Sequence, residues 1–166
     1  GVAQLSIGDV AAKAGVSKAL VLYHFRDRAS LLAALVDDVG AAVLARARQA
    51  AAAGGKEKPL DDHWAWLERE LHAGDLRILV SLAECDVAGA RAASQRIAED
   101  RRQIAATQVD QIFSRLGLTP RLPAGLIAET VMAFVDGLAC RSALDAVRDS
   151  RGAFDVLWLA LLTVCE

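Results

Sequence analysis

The fold of this chain is decided by residues 6 to 28, which read Ser-Ile-Gly-Asp-Val-Ala-Ala-Lys-Ala-Gly-Val-Ser-Lys-Ala-Leu-Val-Leu-Tyr-His-Phe-Arg-Asp-Arg. Ser6 and Asp9 form the Ser-x-x-Asp pattern of a capping box, which predicts the start of a helix. Gly15 follows, where a left-handed residue ends a helix at little cost, and Ser17 can cap a second helix. Two short helices joined at a glycine indicate a helix-turn-helix, whose second helix enters the DNA major groove.

The residue types within and just after this stretch carry a family resemblance. Ala-Lys-Ala-Gly-Val-Ser-Lys, then Leu-Tyr-His-Phe-Arg-Asp-Arg, then Leu31-Leu32 closely resembles the DNA-binding signature of TetR-family transcriptional repressors. The resemblance covers about residues 6 to 36. It implies a DNA-binding domain followed by an all-helical regulatory domain. Beyond residue 36 the chain resembles the family in its helical architecture and length, but it carries no family motif.

The second helix of the pair carries most of the predicted contacts with double-stranded DNA. Its N-terminal half should face outward, and Val21 and Phe25 should point into the small core. Lys18 suits a bidentate contact to guanine, and the apolar side chains suit a thymine methyl group. In the resembled family, the aromatic-His-Phe run and a nearby basic residue serve phosphate positioning. The candidate DNA-contacting residues are Ser17, Lys18, Ala19, Leu20, Leu22, Tyr23, His24 and Arg28.

Three features of this N-terminal end depart from the resembled family. The family often has Tyr where this chain has Leu22, and a longer polar residue where it has Gly8. Both changes remove hydrogen-bonding groups, so the sequence does not predict the operator. Residues 1 to 5 are also too short for the further helix that the family normally carries there. We therefore expect the DNA-binding domain of this chain to be truncated at its N-terminus.

Composition predicts an all-α protein. Hydrophobic residues make up 54% of the 166 residues and there are only three prolines, so a substantial helical core is available. Residues 1 to 28 hold four basic and two acidic side chains, a net charge of +2, against a net charge of −2 for the whole chain. A basic end on an acidic body is compatible with one DNA-facing end, although an excess of two charges is a weak signal.

The cysteine content and the hydropathy of the chain indicate the cellular compartment in which the protein works. Cys85, Cys140 and Cys165 are odd in number and far apart, which argues against a disulfide framework or a metal site and favours a reducing cytoplasm. The longest apolar run, residues 156 to 165, is shorter than the ~20 residues that cross a bilayer, so no membrane partner is predicted. The sequence implies no cofactor.

Hydrophobic periodicity divides the chain into two domains. A connector helix is predicted over residues 29 to 53, with Leu31, Leu35, Val39, Ala42 and Val43 along its apolar stripe. Gly54-Gly55 then breaks the helix. Residues 1–53 form the predicted helix-turn-helix domain with its connector, and residues 54–166 the effector-binding and dimerisation domain. Further helices are predicted from Asp61 or Asp62 to 73, and over 76–87, 90–116, 124–147 and 154–165, with a turn at Gly89 and a polar loop over 148–152.

The last two predicted helices indicate a homodimer. Residues 124 to 147 and 153 to 165 are apolar on nearly every side, and a chain of this size can hardly bury two such helices alone. The same pair from a second copy would complete a four-helix interface about a twofold axis. The resemblance implies the same interface, since TetR-like proteins dimerise through their last two long helices.

An apolar cavity that binds a small, largely apolar or aromatic effector is the second predicted site. Gln108 interrupts the apolar stripe between Ile104 and Ile112, which makes it the best polar contact, with Cys85 and Asp136 next. Aromatic and Met side chains at helical spacing are more often core than ligand contacts. The candidate effector-binding residues are Trp64, Leu67, Leu82, Cys85, Ile104, Gln108, Ile112, Met132 and Asp136. His63 and His72 are nine residues apart and do not predict a metal site.

These features favour a one-component repressor that a small effector releases from a palindromic operator. A sensor or interaction module without DNA binding is the alternative, and Leu22, Gly8 and the expected truncation keep it open. A helical-bundle enzyme is less favoured. The sequence has no Gly-rich phosphate loop, and Ser81 and Cys85 lie one turn apart without a nearby His.

Overall fold

The structure is a computed structural model, and it describes residues 5–53, 57–142 and 149–166. These ranges contain α-helices and no strand, which confirms the all-α prediction, and Pro120 pairs with Cys165 in an isolated bridge. In the described part of the chain, no helix combines the length and apolarity needed to cross a membrane. The helices are α1 (Ile7–Ala14), α2 (Lys18–Phe25), α3 (Arg28–Ala53), α4 (Pro59–Ala73), α5 (Asp75–Ala83), α6 (Ala88–Leu116), α7 (Ala124–Ser142) and α8 (Ser150–Leu162).

The predicted caps of α1 and α2 are confirmed. Ser6 Oγ accepts a hydrogen bond from the Asp9 backbone N–H at 3.1 Å, and the Asp9 carboxylate accepts one from the Ser6 N–H at 3.1 Å. Gly15 ends α1 in the left-handed region, with φ 68°. Ser17 Oγ accepts from the Leu20 N–H at 3.1 Å. These local bonds satisfy helix-end donors that would otherwise lack partners.

The connector helix α3 packs mainly along α6, and its buried stripe differs from the prediction. Leu32, Val36, Val43 and Leu44 are buried there. The expected Leu35 and Val39 are only half-buried, and Ala42 is exposed. Gly40 explains the shift, because a Cβ at this position would lie 2.6 Å from Ile97 Cδ1 of α6. The two backbones therefore approach most closely along the face that contains Gly40.

The predicted N-cap of α4, Asp61 or Asp62, is wrong. Pro59 opens the helix, where its missing N–H costs nothing and its φ already suits a helix. Asp61 and Asp62 lie in the first turn, where carboxylates still interact favourably with the helix dipole. Neither residue is the N-cap, because the helix begins before them.

Three further predicted boundaries are corrected. Helix α5 ends at Ala83 and not at 87, and α6 begins at Ala88, so Gly89 lies inside a helix and not in a turn. A Cβ on Gly89 would stand 3.4 Å from the Ala29 carbonyl oxygen, which shows how closely α6 starts against α3. Helix α8 begins at Ser150, inside the predicted loop, because Asp149 caps it by accepting from the Gly152 N–H at 2.6 Å. The predicted break at Gly54-Gly55 and the predicted end of the seventh helix at 147 lie outside the described residues.

Candidate DNA-binding helix and interior cleft

Helix α2 presents its predicted contact residues to solvent. Val21 is buried and Phe25 half-buried against the small N-terminal core, whereas the Tyr23 side chain is 80% exposed. Exposed tyrosine and leucine side chains on one short helix are a feature that needs a function. The exposed positions are Ser17, Lys18, Ala19, Leu20, Leu22, Tyr23 and His24. Their contacts with DNA remain predictions.

Arg28 holds the chain that leads into α1. Its Nε donates to the Leu5 carbonyl oxygen at 2.9 Å, and the residue is half-buried. Between α2 and α3, Arg26 has φ 59° and ψ −53°, and a positive φ is uncommon for a residue other than glycine. The Asp27 N–H donates to the Phe25 carbonyl oxygen across this residue. The join between α2 and the connector is thus a tight, strained turn.

The two acidic side chains of this region are both engaged in helix capping. The Ser6 hydroxyl and N–H lower the pKa of Asp9. The Ser30 N–H donates to Asp27 Oδ1 at 2.7 Å and lowers the pKa of that carboxyl group. Both carboxylates therefore lie at helix N-termini, while Lys13 and Lys18 extend into solvent. This arrangement leaves cationic side chains available to a phosphate backbone.

Comparison with known families identifies this N-terminal unit. Residues 1–35 match the family model of bacterial regulatory proteins, tetR family. Residues 1–35 are therefore similar to the DNA-binding unit of TetR-family regulators. The match covers α1, α2 and the start of α3, and it supports a TetR-type DNA-binding transcription regulator. No curated protein and no solved structure shows a significant match to the chain.

Behind this TetR-type unit, helices α3 to α7 enclose a mostly apolar cleft, which we call the interior cleft. It holds about 460 Å³ of empty space, part of it open to solvent. The lining residues are Val43, Leu44, Ala47, His63, Trp66, Leu76, Arg101, Ile104, Ala105, Gln108, Val131, Met132 and Val135.

The polar groups of the interior cleft are few. The buried Gln108 donates from Nε2 to the Ala47 carbonyl oxygen at 3.2 Å, which ties α6 to the connector. His63 keeps part of its surface exposed, but its Nε2 is buried and has no hydrogen-bond partner in the described part of the chain. Burial lowers the pKa of His63 to about 4. Its ring lies 5.3 Å from that of Trp66 between centroids, and Trp66 Nε1 is likewise buried without a partner among the described residues.

A second opening, which we call the side cleft, adjoins the first. Arg101 and Met132 line both clefts, and Asp136 lines the side cleft. Arg101 Nη2 donates to Asp136 Oδ1 at 2.5 Å, and the Arg101 side chain is only 13% exposed. The ion pair joins α6 to α7 and leaves little net charge at the boundary of the two clefts.

The structure divides the predicted effector-binding residues into two groups. Ile104, Gln108 and Met132 line the interior cleft, and Asp136 lines the side cleft. Ile112 lies against a neighbouring opening that shares His63, Trp66 and Gln108. The remaining four lie outside these clefts: Leu67 and Leu82 are fully buried, Cys85 is buried after α5, and the Trp64 ring packs at 5.2 Å from that of Phe154.

Sequence reasoning missed a charged cluster that fixes α3 to the body. Arg46 Nε donates to Glu70 Oε1 at 2.7 Å, and its Nη2 donates to Glu70 Oε2 at 2.9 Å and to Asp75 Oδ2 at 2.7 Å. The Glu70 side chain is 3% exposed. The paired carboxylates raise the pKa of Arg46. The spacing of residues within one helix cannot show that Arg46 of α3 and Glu70 of α4 meet.

Sequence reasoning also missed His63 as a cleft residue. The only signal was its position in the aromatic segment Asp-His-Trp-Ala-Trp, which periodicity does not separate from ordinary core. Among the described ranges, no group of His, Cys, Asp and Glu side chains could hold a metal ion.

Proposed function

We propose that this chain is a cytoplasmic, homodimeric transcriptional repressor that a small, largely apolar effector releases from its operator. The observation that carries the proposal is the continuity of α3. This helix of 26 residues packs Leu31 and Leu32 at the TetR-type DNA-binding end, and it lines the interior cleft with Val43, Leu44 and Ala47. A ligand in the cleft would therefore contact the same rigid element that supports the DNA-binding end.

The coupling works over a short distance. Leu32 and Val43 are eleven residues apart, which is about 16 Å along a helix axis. A shift of α3 against α6 would change the separation of the two recognition helices in a dimer, and matching half-sites require about 34–36 Å. Effector and DNA would then weaken each other's binding by the same factor, typically ~1–3 kcal/mol.

Exposed apolar side chains on α7 and α8 support the proposed dimer. Leu126 on α7 is 54% exposed, and Val156 and Leu159 on α8 are 67% and 63% exposed. Val156 and Leu159 are three residues apart and share a helix face. A second copy that presents the same face would cover these side chains in an isologous interface.

The sensor without DNA binding has one observation in its favour. Helix α2 exposes Leu20, Leu22 and Tyr23 but only one lysine, Lys18. An apolar surface of this kind also suits a protein partner. The TetR-family match favours DNA, and in that family a regulator is generally not an enzyme.

Selection from random palindromic duplexes, followed by fluorescence anisotropy, tests DNA binding by the full-length protein. We expect affinity that falls steeply between 50 and 200 mM salt. Lys18→Ala should weaken binding about 5- to 100-fold if Lys18 contacts a base. Arg77→Ala removes an exposed charge from α5 and is the matched control, with no expected change. Absence of salt-sensitive binding would favour the sensor.

Light scattering in solution tests the dimer. Leu159→Arg should convert the dimer to a monomer that remains folded, because it places a charge in the centre of the proposed interface. Ala92→Arg, on the exposed face of α6, is the control and should remain dimeric. A monomeric wild-type protein at micromolar concentration would contradict the proposed interface.

A further inference from the structure

Two ring nitrogens beside the interior cleft have no hydrogen-bond partner among the described residues. Both atoms, His63 Nε2 and Trp66 Nε1, are buried. Both side chains line the cleft, with ring centroids 5.3 Å apart. Buried polar atoms in proteins nearly always have a hydrogen-bond partner, and leaving one unpaired lowers stability. Two adjacent exceptions at one cleft indicate groups that serve a bound molecule.

The chemistry of these nitrogens limits what that molecule can be. The indole Nε1 of Trp66 is a donor only, and a neutral imidazole has one donor and one acceptor nitrogen. An oxygen acceptor on a ligand satisfies Trp66, and it satisfies His63 as well when Nε2 carries the proton. The third polar group, Gln108 Nε2, already donates to the Ala47 carbonyl oxygen. Recognition at this end of the cleft therefore calls for a carbonyl or hydroxyl oxygen.

The electrostatics of the cleft argue against a charged ligand. Among the described residues that line the cleft, Arg101 alone is charged at neutral pH, and its ion pair with Asp136 at 2.5 Å compensates this charge. His63 is uncharged at neutral pH, because burial lowers its pKa to about 4. An anion or a cation would lose its hydration without meeting a free counter-charge.

We propose that the interior cleft binds an uncharged, mainly aromatic or alicyclic molecule that carries an oxygen acceptor, and that His63 and Trp66 recognise that oxygen. The description of this molecule as the effector rests on the proposed function, but its binding does not. The remaining walls are supplied by aliphatic side chains of α3 and α7, such as Val43, Leu44 and Val131. These walls hold the apolar body of the ligand, and the two ring nitrogens set its orientation.

Four probes with a common naphthalene body separate the possible chemistries. They are 2-acetylnaphthalene, 2-ethylnaphthalene, 2-naphthoate and 2-naphthylmethylammonium, titrated into the full-length protein at pH 7.5 by calorimetry. We expect the ketone to bind at least about tenfold more tightly than the hydrocarbon, because a site built for a hydrogen bond discriminates against an analogue that lacks it. Both ions should bind more weakly than the ketone. Equal binding of ketone and hydrocarbon, tighter binding of either ion, or no binding of any probe would overturn the proposal.

Variants locate the recognition. His63→Phe and Trp66→Phe should each reduce the preference for ketone over hydrocarbon toward unity while the hydrocarbon still binds. Trp158→Phe is the matched control: its Nε1 is also buried without a partner in the described residues, but Trp158 does not line the cleft. The control should keep the preference, and thermal unfolding checks that each variant folds. An unchanged preference in both cleft variants would overturn the assignment to His63 and Trp66.

A DNA titration in the presence of the ketone distinguishes this inference from the proposed function. If the ketone binds with the expected selectivity but DNA affinity is unchanged, the ligand class stands and the coupling fails. If another compound releases DNA while the ketone shows no preference over the hydrocarbon, the repressor function stands and the ligand class fails.

Discussion

The DNA-binding end and the interior cleft are built in opposite ways. The capping and turn signals of α1 and α2 lie within about twenty residues: the Ser6 and Asp9 capping box, the turn at Gly15 and the cap at Ser17. The cleft instead brings together residues as distant as Val43 and Val131 on separate helices. A short contiguous motif is therefore enough to identify the DNA-binding family. The ligand that the helical body binds depends instead on how residues far apart in the sequence pack together.

The two regions also differ in which side chains they expose and which they bury. Helix α2 exposes apolar side chains such as Tyr23 and Leu20, which a groove or partner can cover. The body buries ionic and polar groups instead, such as Glu70 and His63 Nε2. We therefore expect substitutions in the body to affect stability most, and substitutions at the DNA-binding end to affect binding most.

The largest expected effect is in the body. Arg46→Met leaves the Glu70 carboxylate buried without its bidentate partner, and this should lower the free energy of unfolding by about 3 kcal/mol in urea denaturation. Arg48→Met, two residues away and exposed, should change it by less than about 0.5 kcal/mol. Adding Glu70→Met to Arg46→Met should restore most of the loss. Equal effects of the two arginine variants would show that the buried cluster does not hold α3.

A pH titration of stability tests His63 next. Its pKa is about 4 when folded against a model value of 6.5, so the unfolded chain binds a proton first as pH falls. The contribution of neutral His63 to the free energy of unfolding is fully present above pH 6.5 and is lost as the pH falls from 6.5 to 4. Between pH 7.5 and 5 the wild type should lose about 2 kcal/mol more than His63→Phe. Parallel pH profiles of the two proteins would contradict a buried, neutral His63.

The smallest expected effect on stability is at the DNA-binding end. Ser17→Ala removes the cap of α2, which is worth about 1 kcal/mol locally. Few buried side chains connect α2 to the other helices. The loss of this cap should therefore weaken DNA binding measurably while it leaves the unfolding temperature nearly unchanged. Ser114→Ala, on the exposed face of α6, removes a hydroxyl group without removing an N-cap and should change neither. A large drop in global stability for Ser17→Ala would remove the distinction between the two regions.

The sequence predicted features whose causes are local. The caps of α1 and α2, the buried Val21 and the long connector all follow from residues a few positions apart. The start of α8 at Ser150 was missed because Asp149 was assigned to a loop, although its side chain caps the helix. The buried stripe of α3 was displaced because the close approach at Gly40 depends on Ile97 of another helix.

The cleft could be predicted only in outline. Gln108 was found because it interrupts an apolar stripe on its own helix. Leu67 and Leu82 were indistinguishable from cleft residues by periodicity, since a core position and a lining position show the same spacing. The unpaired nitrogen of His63 depends on packing against Trp66 and Phe154, which no pattern within one helix reveals.

The central claim is that α3 links the interior cleft to the DNA-binding end. The most direct test is the affinity of the full-length protein for its selected duplex, measured by fluorescence anisotropy with and without saturating 2-acetylnaphthalene. Occupancy of the cleft is followed by calorimetry on the same samples. The account predicts that a filled cleft raises the dissociation constant for DNA about 5- to 150-fold, and that Trp66→Phe raises the ketone concentration needed for half of this increase. An unchanged dissociation constant with the cleft filled would contradict it.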